Sequence, residues 1–142
     1  HILSQRARDN SRTPMQWSAG KFAGFSEARP WVDIPANYTA INAEAEEDDP
    51  DSILNYYRRL VLLRKECPVI SGGTIKFLET GCEKVLAYER RLGDEHLVVL
   101  CNFSGEEQTV KGLEYHGEVL IGNYSGTHKM MQPYEAIVLT VK

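Results

Sequence analysis

The feature that most narrows the fold of this chain is a change of period. From residue 69 onward apolar and polar residues alternate in short runs: Thr74–Glu79, Val85–Leu92, Leu97–Phe103, Gln108–Val110, Glu118–Ile121 and Ala136–Val141. Period two marks a half-buried strand, because successive side chains leave a strand on opposite faces. Turn signals separate the runs, among them Ser71-Gly72-Gly73, Thr80-Gly81, Gly93-Asp94, Ser104-Gly105 and Gly122-Asn123. Short strands at this spacing predict an antiparallel sandwich or barrel. Leu97-Val98-Val99-Leu100-Cys101 is apolar without a break. It is expected to be the central strand, covered on both faces.

The preceding segment has the period of a helix. Asp49-Pro50-Asp51-Ser52 offers an N-cap, a proline at the first helical position and an acid in the first turn. Ile53, Tyr56, Tyr57, Leu60 and Leu63 follow at helical spacing, and Val61 and Leu62 widen the stripe, so burial on more than one side is expected. Arg64 and Lys65 complement the C-terminal dipole, and Pro68 stops the helix. A short helical turn is expected at Ala43–Glu47. The acids from Glu44 to Asp51 lack the glycine turn and ligand spacing of a calcium loop and read as a solvated face.

Residues 1–48 have neither period. They are rich in Arg, Asn, Ser, Pro and Gly, yet carry Trp17, Phe22, Phe25, Trp31 and Tyr38. Disordered segments are poor in aromatics, so this stretch reads as a functional loop belonging to a larger body.

Composition closes other routes. With 142 residues the chain holds 20 acidic against 16 basic groups, a net charge of −4, which argues against a nucleic-acid partner. The longest apolar runs are a few residues, far short of the roughly 20 needed to span a membrane, so no membrane partner is expected. Cys67, Cys82 and Cys101 form neither a C-x-x-C pair nor an even set, and read as reduced thiols. The four histidines lack ligand spacing, there is no phosphate loop, and no G-x-S-x-G elbow occurs. No metal and no cofactor are expected. Asn37, Asn102 and Asn123 begin N-x-S/T triplets, too short a pattern to carry weight. The chain opens on His1 without a signal-peptide pattern; this is read as a cut end, so the missing signal says nothing about location. A cytoplasmic location is expected.

One segment concentrates binding chemistry. Arg6-Ala7-Arg8-Asp9-Asn10-Ser11-Arg12-Thr13-Pro14-Met15-Gln16-Trp17 packs three arginines, an aspartate and two amides beside an indole. Guanidinium groups present a planar fork of donors, and an indole offers a flat apolar face. A capped loop with Asp9 pairing Arg8 or Arg12 accounts for the same residues.

The run ARDNSRTPMQW, followed by Ala23-Gly24-Phe25 and Pro30-Trp31, resembles the last barrel loop of family 13 glycoside hydrolases. It is most similar to the oligo-1,6-glucosidase, dextran glucosidase and trehalose-6-phosphate hydrolase group. Tyr38, Ile41-Asn42, Asp49 to Tyr57, Leu63-Arg64-Lys65 and Pro68-Val69-Ile70 continue the resemblance. It implies a mainly β chain: a C-terminal antiparallel β-sandwich, residues 71–142, preceded by the end of a (β/α)8 barrel, residues 1–70, with its active-site loop and final helix.

By the same resemblance Arg12 reaches the sugar, and Arg8 and Asp9 shape that loop, Arg8 being the second candidate substrate contact. The implied ligand is an α-glucoside oligosaccharide, and the implied partner is the remainder of the barrel. Retaining hydrolysis needs two carboxyl groups about 5–5.5 Å apart. The family's catalytic acids lie on earlier strands that this chain lacks, so no catalytic residue is assigned. The chain is expected to be a C-terminal fragment of a retaining α-glucosidase, inactive alone. The competing readings are a freestanding carbohydrate-binding β-module stacking sugars on Trp17 and Trp31, and an interaction domain using the apolar helix face.

Overall fold

A computed structural model of the chain describes residues 11–110, 117–126 and 130–141. The chain divides into two compact units, His1–Leu63 and Arg64–Lys142.

In the second unit, strands β1 (Thr74–Leu78), β2 (Val85–Leu92), β3 (Glu95–Asn102), β4 (Gly117–Gly122) and β5 (Ala136–Val141) form one antiparallel sheet in the order β1-β2-β3-β5-β4. The apolar run Leu97–Cys101 therefore lies in the middle strand. Five of the six alternating runs are strands. The sixth, Gln108–Val110, contributes only an isolated bridge from Gln108 to Met131.

The register explains the core. Leu100 pairs with Ala87 on one side and Ile137 on the other, while Val98 pairs with Glu89 and Leu139. Val85, Ala87, Val98, Ile137 and Leu139 thus share one face, and all are buried. On the opposite face Leu97 is also buried, but Ile75, Phe77 and Leu86 are exposed. Burial on both faces is confined to Leu97 and Val98, and Val99, Leu100 and Cys101 are half-buried. The expected double coverage of the whole run thus holds only at its start. Unbroken apolarity states what a strand tolerates on each face, and a covering element decides what each face buries.

On the Leu97 side the covering element is a short helix, α3 (Pro68–Gly72), which packs on β2 and β3 with Val69 buried. Arg90 of β2 fastens its end. Its Nε donates to the Val69 carbonyl at 3.0 Å and its Nη2 to the Gly73 carbonyl at 2.7 Å. A cation is favoured there, because the last carbonyls of a helix lack intrahelical donors. The β2–β3 hairpin closes over Gly93 and Asp94, and Gly93 sits at φ 57°, the positive value that two-residue hairpin turns demand.

Among the described residues two α-helices precede α3: α1 (Ala43–Asp48) and α2 (Ile53–Glu66). The start of α2 corrects the sequence reading. The helix begins after Ser52, not at Pro50, and Ser52 is its cap: the Asn55 N–H donates to Ser52 Oγ at 3.1 Å. Asp49 instead accepts from the Asp51 N–H at 2.9 Å in a local turn. Ser52 wins because its hydroxyl also donates to the Glu46 carbonyl at 2.7 Å, locking it in a buried position. Pro68 ends α2 as expected, and opens α3. The expected burial of α2 on more than one side is not seen. None of its residues is buried, and Ile53 and Tyr57 are 82% and 64% exposed. Helical spacing gathers apolar residues on a face; burying that face takes a partner.

A charge cluster sits on β1–β3. Glu89 Oε2 accepts from Arg91 Nη2 at 3.1 Å and lies 2.9 Å from His96 Nε2, and Lys76 Nζ is 3.9 Å from Glu89 Oε1. Hydrogen bonding from Arg91 holds the Glu89 carboxyl below its ordinary range, against the opposing effect of partial burial.

Two outcomes follow from this packing. Leu139→Ala is expected to cost about 2–5 kcal/mol in urea unfolding, whereas Ile75→Ala, at an exposed position, should cost less than about 1 kcal/mol. Glu89 has a folded pKa below its unfolded value, so its stabilisation is complete above the unfolded value and lost as pH falls through the folded one. Wild type should therefore lose more stability than Glu89→Gln between neutral and strongly acid pH, as read from urea midpoints.

Candidate functional site

The segment that the sequence singled out lies in the first unit. Arg8 and Asp9 fall outside the described residues, and Arg12 is exposed. From Met15 the loop is tied down. The Ala43 N–H donates to the Gln16 carbonyl at 2.9 Å and the Glu44 N–H to the Trp17 carbonyl at 3.0 Å. The Ala45 N–H donates to Asn42 Oδ1 at 3.0 Å, and the Glu46 N–H closes the first helical bond to the Asn42 carbonyl at 3.1 Å. The opening donors of a helix have no partners of their own. In α1 two of them are satisfied by backbone from the arginine-rich loop. Gln16 adds a side-chain bond from Nε2 to the Ile41 carbonyl.

Asn42 is the hub of this arrangement. It is buried, caps α1 with its oxygen, and donates Nδ2 to the Tyr38 carbonyl at 2.9 Å. The acids next to it have structural work. Glu46 Oε2 accepts from the Leu54 N–H at 3.0 Å at the start of α2, and Glu47 pairs with Arg58 at 2.6 Å. Asn55 Nδ2 donates to the carbonyls of Glu46, Glu47 and Asp49. The acidic run is exposed except for the half-buried Glu46, as a solvated face predicts, and Glu46, Glu47 and Asp49 also serve as caps and ties. Among the described residues no group of three His, Cys, Asp or Glu side chains could hold a metal ion.

The segment from Thr13 to Gln16 lines a cavity of about 310 Å³, together with Ile41, Glu46 and Leu54 among others. Apolar walls with a few polar groups suit a small ligand. The cavity's polar groups are Thr13, Gln16, Asn42 and Glu46, while the guanidinium of Arg12 and the indole of Trp17 are not among its walls. Trp17 and Trp31 remain 53% and 83% exposed.

A feature without a sequence signal adjoins this loop. Phe22 and Ala23 both adopt left-handed backbone, at φ 52° and 56°, followed by Gly24 at 66°. Side-chain sterics disfavour that conformation by roughly 1–2 kcal/mol per non-glycine residue. The turn persists because the buried Ala23 carbonyl accepts from both Trp17 N–H at 2.9 Å and Ser18 N–H at 3.0 Å. Gly24 suits its positive φ, and a Cβ there would stand 2.7 Å from Ser18 Oγ, which would have to turn aside. Past it, Arg29 Nη2 pairs with Asp33 Oδ1 at 2.9 Å on the surface, and this hydrogen bond raises the arginine pKa further.

The remaining candidate groups are structural. Cys67, Cys82 and Cys101 are free, and burial pushes the Cys101 thiol up. The Asn102 and Asn123 side chains are engaged. Asn102 is buried and donates to the carbonyls of Glu106 and Gln132 at 2.8 Å each, while Asn123 bridges the Tyr134 carbonyl and the Ala136 N–H.

The model of the alpha-amylase catalytic domain matches residues 1–73, and that of the maltogenic amylase C-terminal domain matches residues 75–130. The chain belongs to the alpha-amylase family. It is 36% identical over 141 residues to a probable oligo-1,6-glucosidase of Bacillus subtilis, covering 94% of this chain and 25% of that protein. Among solved structures, the trehalose-6-phosphate hydrolase of Bacillus licheniformis is 38% identical with a TM-score of 0.87, over 99% of this chain and 28% of the other. An isomaltulose synthase from a Klebsiella species is 36% identical with a TM-score of 0.84, over 95% of this chain and 26% of the other. The chain spans about a quarter of the length of the curated relatives it matches.

Asn42→Ala removes the α1 cap and the tie to Tyr38 together. It is expected to cost about 1–2 kcal/mol in stability. The tryptophan emission maximum should shift as the Gln16–Trp17 backbone loosens, a change that the exposed-surface control Glu83→Ala should not produce.

Proposed function

We propose that this chain supplies the last active-site loop, the final barrel helix and the C-terminal β-domain of a retaining α-glucosidase. The substrates are small oligosaccharides with terminal α-1,6-glucosidic or related α-glucosidic bonds. The single observation that carries this reading is the Arg12–Trp17 loop. Its sequence resembles the family's last barrel loop, and its backbone at Gln16 and Trp17 accepts from the first N–H groups of α1, which anchors the end of the loop. Relatives named as oligo-1,6-glucosidases and as a trehalose-6-phosphate hydrolase support this reading.

Arg12 is the proposed substrate contact, donating from its guanidinium fork to sugar hydroxyls; Arg8 is the second candidate. The nucleophile and the acid/base come from the rest of the barrel, which is the partner this chain needs. In this reading the isolated chain is catalytically silent. The exposed apolar face of α2, with Ile53 and Tyr57, is where the barrel would pack. Three free thiols support a cytoplasmic location, where cysteines stay reduced.

The test is a chimera in which this chain replaces the matching last quarter of the Bacillus subtilis oligo-1,6-glucosidase. The chimera is expected to hydrolyse isomaltose, and Arg12→Ala within it should lower kcat/KM by roughly 100-fold, the loss of a charged hydrogen bond to the reacting sugar. A folded but inert chimera, or turnover by the isolated chain, would overturn the reading.

A further inference from the structure

We infer that the crevice between Phe22, Tyr38 and the Arg29–Asp33 pair is a second carbohydrate subsite, which takes one pyranose ring of the α-glucoside. The inference rests on the α-glucoside reading and adds to it a site separate from Arg12. The crevice has a volume of about 170 Å³. That is below the roughly 300 Å³ at which pockets for larger ligands begin, so it suits a single ring rather than a chain of sugars. Val32 and Ile34 give it apolar surface, Phe22 and Tyr38 are aromatic walls, and Arg29 and Asp33 stand at one side.

The chemistry of the wall matches a sugar on two counts. A pyranose has apolar C–H faces and a rim of hydroxyls that both donate and accept. The aromatic rings meet the first, and the ion pair meets the second. At 2.9 Å, Arg29 and Asp33 set a donor beside an acceptor, the pairing that two adjacent hydroxyls require. Both side chains are about four-fifths exposed, so the sugar needs to displace only surface water to reach them.

Both walls are fixed before any ligand arrives. Phe22 is held by the left-handed turn and by the double acceptance at the Ala23 carbonyl, and Lys21 Nζ lies 5.0 Å from its ring centroid. Tyr38 sits in a tight helical turn, Ala36–Thr39, whose carbonyl is gripped by buried Asn42. Strain retained in a bulky residue, where the surrounding hydrogen bonds over-determine it, is a common companion of ligand sites. Prepaid order of this kind raises affinity without adding contacts.

The test uses the whole chain, labelled with nitrogen-15 and titrated with methyl α-glucoside. Amide shifts are expected to cluster within residues 22–38. Asp33→Asn should weaken them about tenfold, as for one lost charge-assisted hydrogen bond, and Arg29→Gln similarly. The amide spectra of the variants report directly whether each remains folded. Silence at 22–38, no effect of Asp33→Asn in a folded variant, or an equal response to an open-chain polyol such as sorbitol would overturn the subsite. An active chimera together with silence at 22–38 removes the subsite alone. An inert chimera removes the glucosidase reading on which it rests.

Discussion

The first unit hangs on one exchange of hydrogen bonds. Helix α1 has only six residues, too few to stand alone, and its opening N–H groups need acceptors. Gln16 and Trp17 supply two from their backbone, and Asn42 supplies the next from its side chain. The helix and the loop are therefore mutually dependent: the loop gives the helix its cap, and the helix gives the loop its shape. Glu46 of the same helix then accepts from the start of α2, so the order set at Gln16 is passed on to a second helix. An irregular stretch with no period of its own is organised by backbone groups that the helices leave unpaired.

The second unit is held by a different economy. Its strands satisfy their backbone among themselves, and side-chain burial decides which face is core. Val98 and Leu97 point to opposite sides of the middle strand and both are buried, one in the main apolar face and the other on the side where α3 packs. Arg90 serves a sheet and a helix at once. It stands in β2, yet its guanidinium occupies carbonyls in and just after α3. The side chain adds to the cap at Gly73, whose own N–H donates to the Val69 carbonyl at 3.1 Å.

Much of this was legible in the residues. Val85–Leu92 and Ala136–Val141 are strands over the very spans that alternation marks, and Leu97–Cys101 lies in the central strand. Period is a direct imprint of which face is covered, so it reads well. The start of α2 read less well, because Asp49 and Ser52 are both good caps and only the buried bond from Ser52 to Glu46 favours the second. Burial of α2 was not legible at all, since a sequence shows an apolar stripe but not what meets it. In the candidate site, the Arg12–Trp17 loop stands out by composition. The left-handed turn does not: nothing about Phe22 or Ala23 as residue types announces positive φ. Its only trace is the spacing of Ser18, Gly20 and Gly24 around it. Arg29 and Asp33, four apart without a helix pattern, were equally silent.

The tight hairpin at Gly93-Asp94 carries a consequence for how the sheet comes into being. β2 and β3 are joined by the shortest possible link and pair along their full lengths, from Val85 with Asn102 to Leu92 with Glu95. Closing so small a loop costs little entropy and takes microseconds, whereas β5 must return to β3 across the long stretch that follows Asn102. The hairpin is thus the natural nucleus, and β5 joins it late. The rate at which this unit folds is governed by that return, and the apolar edge of β3 waits uncovered in the interval.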